Sequence, residues 1–509
     1  MTIKIAILAI ASAAGWSWMA HIAREFVWGE GHAARPILSV MCVLAAQWAA
    51  WGIVVWLASK VPNERRKSVA LLCCVAGLSS QLFFLNSNPI LEHDGYRYLW
   101  DGAALDSGVS PYRYAPQDIA DARLADEMDG AKRKLVQRIQ SEPSAARTLE
   151  KVGYPEVKTI YPPAAQAVFF AAFKLGGWSW SGLRIIFIGT YFAGAFLTAA
   201  ALREGGAEKS TAFQAVAFLS MCPLAIKEIG SSAHLDAMLV LYFGAMLFVL
   251  SRDKIFTPIW MAVSIGVLMA LAIATKLYPL IAMPVIAAWF WARYSWGLAG
   301  VFVGTAILVA ASTYVPFFAM GEREFFSGLS AFGNEWLRNE SVFGVIQSAA
   351  TFVFGNETVA IATIPGASGP MSTVVAKLVA AIALLLVCAA CTRSVLLSAR
   401  ELPPTRVISR NLAILFLAWF LLLPMSFPWY LLGVLPFLAC ARFGAIPWVL
   451  IACVGVFYYG EFYIDGHDLP TSYSTRLLQI EYGIPLAFAL CMWASRALSR
   501  RAVLSREGT

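Results

Sequence analysis

The chain has 509 residues, of which 59% are hydrophobic and 14% charged, and its mean hydropathy is +0.66. Soluble domains contain about 45–50% apolar and about 25% charged residues, so this composition excludes a soluble enzyme. In a soluble protein, the net charge of +8 would suggest that the protein binds nucleic acid. The Lys and Arg residues lie mainly in short loops between apolar segments, however, where they indicate membrane topology and no nucleic-acid partner.

Apolar runs recur along the chain, and each is long enough to cross about 30 Å of hydrocarbon. They predict an all-α polytopic membrane protein with about 12–14 transmembrane helices. The predicted spans lie at residues 5–21, 37–59, 69–87, 183–203, 211–227, 237–251, 257–275, 278–293, 296–318, 371–392, 409–426, 429–443, 446–462 and 483–498.

The first apolar segment lies within residues 1–20 and is not followed by a convincing small-residue cleavage site. We therefore expect a retained first span and no removed signal peptide. All nine cysteines fall inside apolar segments, and none lies in the long polar loops. They are expected to be packing residues, without a disulfide or a zinc site.

Basic residues distinguish two sets of loops. If the N-terminus is inside, the positive-inside rule is met at nearly every crossing. The residues that mark the predicted cytoplasmic side are Lys60, Arg65, Arg66, Lys67, Arg203, Lys209, Arg252, Lys254, Arg293, Arg393, Arg400, Arg406, Arg410, Arg442, Arg500, Arg501 and Arg506. The opposite loops contain all five histidines and the acidic clusters, so we expect any chemistry on the extracytoplasmic face.

The pattern divides the chain into five regions. We expect a large extracytoplasmic loop with the catalytic motif at 88–182, and within it the apolar segment 160–177 is predicted to be a juxtamembrane helix, because counting it as a span inverts every later loop. The charged stretch 117–151 predicts a solvated surface helix. The other regions are N-terminal spans at 1–87, core spans at 183–318, a second outer loop at 319–370, and C-terminal spans with a cytoplasmic tail at 371–509.

A dense polar and aromatic motif opens the first outer loop, at residues 92–102 and 110–116. A carboxylate beside His, Arg and Tyr side chains can act as a general base toward a hydroxyl, and stacked rings suit the faces of sugars. An interfacial aromatic belt with ion-paired Asp and Arg would give the same composition, and residues alone leave both interpretations open.

Two further patches lie on the same predicted side. Residues 227–236 contain His234 and Asp236, which are either functional groups at membrane depth or a cap on the next helix. Lys276 stands between two apolar segments, where it can snorkel to the surface or bind a phosphate. The loops at 334–340 and 461–468 could form a lid or recognise the acceptor, and the alternative is that they are ordinary solvated loops. No phosphate-binding glycine loop is found, which argues against an ATP-driven pump.

These motifs together resemble bacterial GT-C glycosyltransferases, in particular the polyprenyl-phosphomannose-dependent mannosyltransferases and glycosyltransferase family 87. The resemblance is carried, in the expected order, by residues 93–102, 111–116, 160–163, 228–236, 275–279 and 428–430. It implies a GT-C-like helical bundle in the inner (plasma) membrane, with a helical first outer loop.

The resemblance also implies a mechanism. A sugar, mannose first among candidates, moves from a polyprenyl-phosphate donor in the lipid bilayer to an acceptor hydroxyl on a glycan or glycolipid. Asp94 is the expected base of a single inverting displacement, so that a β-linked donor gives an α-linked product. No metal or other cofactor is required for this, although a divalent ion is not excluded. The expected substrate-binding residues are His93, Arg97, Tyr98, Trp100, Asp101, Tyr112, Arg113, Tyr161, His234, Asp236 and Lys276.

Within that set, Lys276 is expected to stabilise the leaving phosphate, with Arg97, Arg113 or His234 as further candidates. Tyr98, Trp100, Tyr112 and Tyr161 are expected to stack on the sugar or to fix the loop. The sequence departs from the family in two ways. More spans precede the Asp94 loop than in many members, which have one, and His93 takes the place of a second acid.

Two other function classes stay open. A transporter or flippase of a lipid-linked sugar would have charges buried within spans, or inverted repeats with broken helices. We expect few buried charges and see no inverted pair, and the polar residues concentrate in loops. An acyltransferase or ligase of envelope polymers would also use outer-face residues, but with a different pattern for activating the acceptor.

Overall fold

The computed structural model describes residues 1–122, 129–205, 209–329, 338–360, 368–441 and 443–507, and in these ranges the chain is almost entirely helical. Nine helical segments in this part of the chain are long and apolar enough to cross a membrane, so the protein is a multi-pass α-helical membrane protein. They are Thr2–Glu25, Ile37–Ala58, Trp180–Glu204, Thr211–Ser231, Trp296–Ala319, Met371–Ser398, Pro404–Leu422, Ile446–Gly466 and Thr471–Ser495.

The α-helices, in chain order, are α1 (Thr2–Ile22), α2 (Ile37–Ala58), α3 (Arg66–Leu82), α4 (Asp94–Asp106), α5 (Pro116–Ala120), α6 (Gly130–Ser141), α7 (Pro143–Glu150), α8 (Pro163–Gly176), α9 (Trp180–Glu204), α10 (Lys209–Ser220), α11 (Pro223–Ala225), α12 (Ala237–Ser251), α13 (Pro258–Ile273), α14 (Met283–Arg293), α15 (Trp296–Ser312), α16 (Val315–Ala319), α17 (Val342–Phe354), α18 (Met371–Ser398), α19 (Pro404–Leu422), α20 (Leu435–Ala441), α21 (Ile446–Phe457), α22 (Gly460–Gly466) and α23 (Thr471–Glu507).

Shorter elements connect these helices. Ile226–Ser231 is a π-helical turn. Two short strands, β1 (Thr358–Ala360) and β2 (Ser368–Pro370), pair antiparallel, with Thr358 opposite Pro370. The 3₁₀ turns are Ala23–Glu25, His32–Ala34, Asn63–Arg65, Tyr278–Ala282 and Pro428–Val434.

Each of the nine long segments overlaps a predicted span. Three other predicted spans are shorter apolar helices, α12, α13 and Pro428–Ala441. The prediction at 278–293 is a 3₁₀ turn followed by the 11-residue α14, and the one at 69–87 is the 17-residue α3. Helix α17 is also apolar and lies in the predicted outer loop 319–370, where the sequence had not singled out a helix. The hydropathy of the chain thus locates the helices well.

Helix α8 occupies most of the ambiguous segment 160–177. It begins at Pro163, a position where proline is favourable because the first amide of a helix has no intrahelical partner. Its neighbours are α4 and α9, and glycine permits both close approaches. A Cβ on Gly102 would lie 2.4 Å from the carbonyl oxygen of Phe169, and one on Gly182 would lie 2.4 Å from that of Ala172. Helix α8 is therefore wedged between them.

The loops that the charge pattern assigns to one side contact one another. On the predicted cytoplasmic side, Arg293 lies 3.2 Å from Asp253, and the Arg400 side chain donates to the carbonyl oxygen of Ala292 at 2.7 Å. The loops assigned to the other side line one cavity. The loops that the Lys and Arg residues assign to opposite sides of the membrane thus lie at two different ends of the helical bundle.

Candidate functional site

A cavity of about 1120 Å³ opens where the loops of the second end meet. Small-molecule pockets usually enclose about 300–1,000 Å³, so it has room for a large ligand. Most of its lining comes from residues within 26–35, 88–97, 151–162, 276–278, 419–430 and 458–462, with Leu329 and Arg338 in addition.

The start of α4 places Asp94 at the cavity. Leu91 has a φ of 52°, a left-handed conformation that is costly for a leucine and turns the chain just before the helix. Glu92 then folds back, and its Oε1 accepts the backbone N–H groups of His93 and Asp94, each at 2.8 Å. A Cβ on Gly95 would lie 2.6 Å from the ring of Trp180, so only glycine permits this docking of the helix.

Asp94 is half-buried and lines the cavity. The Tyr161 hydroxyl donates to its Oδ2 at 3.2 Å. Burial, and next the negative charge of Glu92, raise the pKa of Asp94, although His93, His234 and Lys276 act in the opposite direction. A carboxylate with a raised pKa is a better proton acceptor, which is the property a general base needs.

His234 lies behind Glu92 and is completely buried. Its Nε2 is 3.0 Å from Glu92 Oε2 and 3.4 Å from Glu228 Oε2. Burial lowers the pKa of His234, but the two carboxylates outweigh it and raise that pKa to about 9. Burial likewise raises the pKa of Glu92, whereas the charge and hydrogen bond of His234, with His93 and the Asp94 amide, lower it to about 2. The pair is therefore an imidazolium and a carboxylate at neutral pH.

Lys276 lines the cavity from the segment between α13 and the 3₁₀ turn Tyr278–Ala282. Its Nζ lies 2.6 Å from Asp236 Oδ2 and 4.6 Å from the centre of the Tyr430 ring. Asp236 is completely buried, so it anchors the lysine from behind and does not line the cavity. The ammonium group faces the same space as Asp94, where it can hold an anion.

A second buried network fixes Arg97, which also lines the cavity. Its Nε donates to Asp101 Oδ1 at 3.1 Å and its Nη2 to the Val157 carbonyl at 2.7 Å. Thr159 and Gln166 donate to the other oxygen of Asp101 at 2.6 and 3.0 Å. Asp101 does not line the cavity, and its contacts make it a support for Arg97.

Most of the aromatic residues expected on a sugar lie elsewhere. Tyr161 lines the cavity. Tyr98 stacks on Phe169 with ring centres 4.3 Å apart. The Tyr112 hydroxyl donates to the Tyr161 carbonyl at 2.8 Å, and Trp100 is buried in a separate apolar cluster. These three rings pack the protein, and do not line the cavity.

The cavity therefore brings together His93, Asp94, Arg97, Tyr161 and Lys276 of the predicted set. Arg113 is half-exposed, pairs with Asp129 at 3.7 Å and is not in the lining. The other predicted residues outside the lining are Tyr98, Trp100, Asp101, Tyr112, His234 and Asp236.

Several residues at or beside the cavity were not among the predicted site residues. Glu92 and Glu228 stand inside the quoted motifs, where their acidic side chains were a usable signal. Arg338 comes from the second outer loop and lies 4.8 Å from the centre of the Phe462 ring. No local pattern distinguishes it from other loop arginines. The aromatic lining residues outside the predicted set include Tyr96, Trp419, Phe427, Trp429, Tyr430, Tyr458 and Phe462, of which Tyr96, Trp429 and Tyr430 stand in the quoted motifs.

The prediction of few buried charges is wrong. Four charged side chains are buried within the long apolar segments, namely Arg184, Lys227, Glu228 and Glu481. Arg184 shows why they are tolerated, since its guanidinium donates to the carbonyl oxygens of Leu85, Ser87 and Ser231. It thereby ties together the two segments that lead to Glu92 and to His234.

In the described part of the chain, no group of three or more His, Cys, Asp or Glu side chains is arranged to hold a metal ion. Comparison with known proteins finds no family model, no curated protein and no solved structure that matches this chain.

Proposed function

We propose that the protein is an inverting glycosyltransferase of the GT-C type, with about 12–14 spans, in the inner membrane. It moves a sugar, mannose first among candidates, from a polyprenyl-phosphate donor to an acceptor hydroxyl at the extracytoplasmic end. The observation that carries the proposal is that Asp94 and Lys276 both line one large, aromatic-lined cavity at one end of the helical bundle. The helical segment 88–182 is the outer loop of this scheme.

The chemistry is a single displacement. Asp94 takes the proton of the acceptor hydroxyl while its oxygen forms a bond to the anomeric carbon. The bond between that carbon and the phosphate oxygen breaks, and the polyprenyl phosphate leaves with the electron pair. Lys276 faces the developing negative charge, and its anchoring by Asp236 limits the reorganisation needed in the transition state.

The lining suits both parts of such a donor. Among the described residues, six cationic side chains border the cavity and offer sites for a phosphate: Arg35, Arg97, Lys151, Lys158, Lys276 and Arg338. Aromatic rings also line the cavity, with Phe427 stacked on Trp429 at 4.5 Å and Tyr278 on Trp419 at 4.1 Å. Such rings can pack against a sugar face or an isoprenoid chain.

Purified protein in lipid nanodiscs should transfer radiolabelled sugar from synthetic polyprenyl-phosphomannose to a membrane extract, with and without EDTA. Asp94→Asn keeps the shape and removes the base, so transfer should fall to background while donor binding persists. Asp121→Asn is the matched control, because Asp121 is exposed, lies in the same loop and does not line the cavity. Equal transfer by wild type and Asp94→Asn would refute this role of Asp94.

A flippase for a lipid-linked sugar is a second candidate, favoured by the buried charges described above. The segment Thr211–Ser231 is also interrupted at Cys222 and ends in the π-helical turn, as in the broken helices of transporters. Vesicles without acceptor decide between the two. A flippase would move a short-chain donor across the bilayer and keep this activity in Asp94→Asn, whereas the transferase would leave the donor where it was added.

A further inference from the structure

The buried imidazole of His234 has no access to the cavity, although its neighbour Glu92 lines it. The ring lies flat on Trp429, with centres 4.0 Å apart. The Nε2 atom of the imidazole faces the carboxylates of both Glu92 and Glu228. Ala233, just before it, has a φ of 53°, so the chain accepts a left-handed residue in order to present this histidine.

Glu92 connects this histidine to the reactive end of α4. One of its oxygens caps the amides of His93 and Asp94, and the other faces His234. Both oxygens are therefore engaged in holding the structure. A change at His234 reaches Asp94 through this one side chain.

We infer that His234 is a positioning residue: as an imidazolium between Glu92 and Glu228, it fixes Glu92 on the N-terminus of α4 and so sets the orientation and charge of Asp94. The inference rests on the proposed function in that Asp94 is the base there. It assigns His234 a role behind the site, without contact with the sugar phosphate.

The charges around His234 decide how its removal changes the proton affinity of Glu92 and Asp94. Glu228 is also bound by the Tyr459 hydroxyl and lies 3.7 Å from Lys227, whose Nζ donates to Ser232. The other titratable or charged groups around this cluster are His93, Asp94, Asp236, Lys276, Arg338 and Tyr458. Removing the His234 cation takes away the positive charge that lies 3.0 Å from Glu92 and that also acts on Asp94. Together the two carboxylates must then bind protons more readily.

Labelling with a hydrophobic carbodiimide, which reacts with protonated carboxyl groups, tests this without any transfer assay. The peptide that carries Glu92 and Asp94 is quantified by mass spectrometry across pH. His234→Phe keeps a ring against Trp429 and removes the charge. Its labelling midpoint should rise by at least about one pH unit relative to wild type. His467→Phe makes the same substitution at an exposed histidine and should leave the midpoint unchanged.

Glu228→Gln is the second variant, and its expected shift has the opposite sign. It removes an anion from the cluster, so the Glu92 and Asp94 pair should label at lower pH than in wild type. General loosening of the fold would move both variants in one direction. The inference is overturned if a folded His234→Phe protein keeps the wild-type midpoint, or if both variants shift the same way.

Transfer kinetics distinguish this inference from the proposed function. His234→Phe should lower kcat by about 10- to 100-fold through misplacement of Asp94. The donor KM should change by less than about threefold, because no substrate contact is lost. A raised KM with unchanged kcat would make His234 a substrate contact and overturn the inference. If wild type transfers no sugar at all, the proposed function fails, and the labelling result still decides the role of His234.

Discussion

Helix α4 carries an aspartate at each end, and the two carboxylates have opposite surroundings. Asp106, at the last residue, accepts from Arg138 at 2.9 Å and from Lys174 at 3.1 Å. Its modest burial raises the pKa of Asp106, but these hydrogen bonds and charges lower it overall. Asp94, at the first residue, faces a cavity beside the anionic Glu92, and its pKa is raised.

The comparison separates a carboxylate that holds the structure from one that is available for chemistry. Helix position alone would predict the reverse, because a helix N-terminus stabilises an anion and a C-terminus does not. Burial and the nearest full charges outweigh the helix dipole at both ends. A carboxylate saturated by cations has little affinity for a proton, whereas Asp94 keeps that affinity at the cavity.

After the loss of Asp94 itself, the largest effect is expected for the lysine near it. Lys276→Met removes the cation that faces the leaving phosphate, and turnover should fall about 10²- to 10³-fold. The matched change at the other end of α4 is Lys174→Met, which removes a lysine that is 60% exposed and should alter turnover by less than about twofold. Steady-state transfer assays measure both. Comparable losses of turnover in the two variants would show that the carboxylates at the two ends of α4 do not differ in function.

A substitution in the middle of α4, at Asp101, should lower the stability of the folded protein. Asp101→Asn leaves the buried Arg97 without its ion-pair partner and should cost about 3 kcal/mol of stability. Thermal unfolding in detergent measures the loss, with Asp121→Asn as the surface control. An unchanged melting temperature would show that the Asp101 network contributes little to the fold.

Gly95 tests how tightly α4 must dock. In Gly95→Ala the new Cβ would lie 2.6 Å from the Trp180 ring, so the helix or the ring must move, at a cost of about 1–3 kcal/mol. Gly108→Ala near the other end is a poor control because its φ is 77°. Gly130→Ala is better, since its Cβ meets no atom within 4 Å. Equal melting temperatures for the two variants would contradict the close docking.

The pH dependence of stability should report the buried ion pair behind Asp94. The pKa of His234 rises from its ordinary 6.5 to about 9 in the folded protein. Its contribution is therefore fully present below pH 6.5 and is lost as the pH rises through 9. The melting temperature should fall over that window in wild type and much less in His234→Phe. A parallel fall in both proteins would assign the effect to other groups.

The smallest effect is expected for Arg113, which the sequence resemblance placed in the site. Its guanidinium is half-exposed and 3.7 Å from Asp129. Arg113→Ala should change stability by less than about 0.5 kcal/mol and leave turnover intact. A loss of transfer of tenfold or more would return Arg113 to the substrate site.

The sequence predicted the helices better than the site. Hydropathy is a local property, so the long spans could be located from the residues alone. Asp94, Tyr161 and Lys276 line the cavity, and each stands beside an apolar segment in the sequence. Tyr98, Trp100 and Tyr112 were expected to stack on the sugar or to fix the loop, and they lie outside the cavity lining. The sequence could not choose between these roles, because an aromatic ring has the same sequence signal in a core and in a binding site.

The pairing of Glu92 with His234 lay beyond sequence reasoning for a different reason. The two residues belong to distant motifs, and only the packing of the π-helical turn against α3 and α9 brings them together. The left-handed residues Leu91 and Ala233, which turn the chain toward this pair, have no sequence signal either, since neither is a glycine or an asparagine.

The role of Asp94 as the base is best tested by the transfer rate per folded molecule in Asp94→Asn and Asp106→Asn, with the folded fraction taken from thermal melts of the same samples. If Asp94 is the base, Asp94→Asn should melt close to wild type and lose transfer by about 10²- to 10⁴-fold. Asp106→Asn should lose some stability and keep the wild-type rate per folded molecule. Wild-type transfer by a folded Asp94→Asn protein would show that Asp94 is not the base.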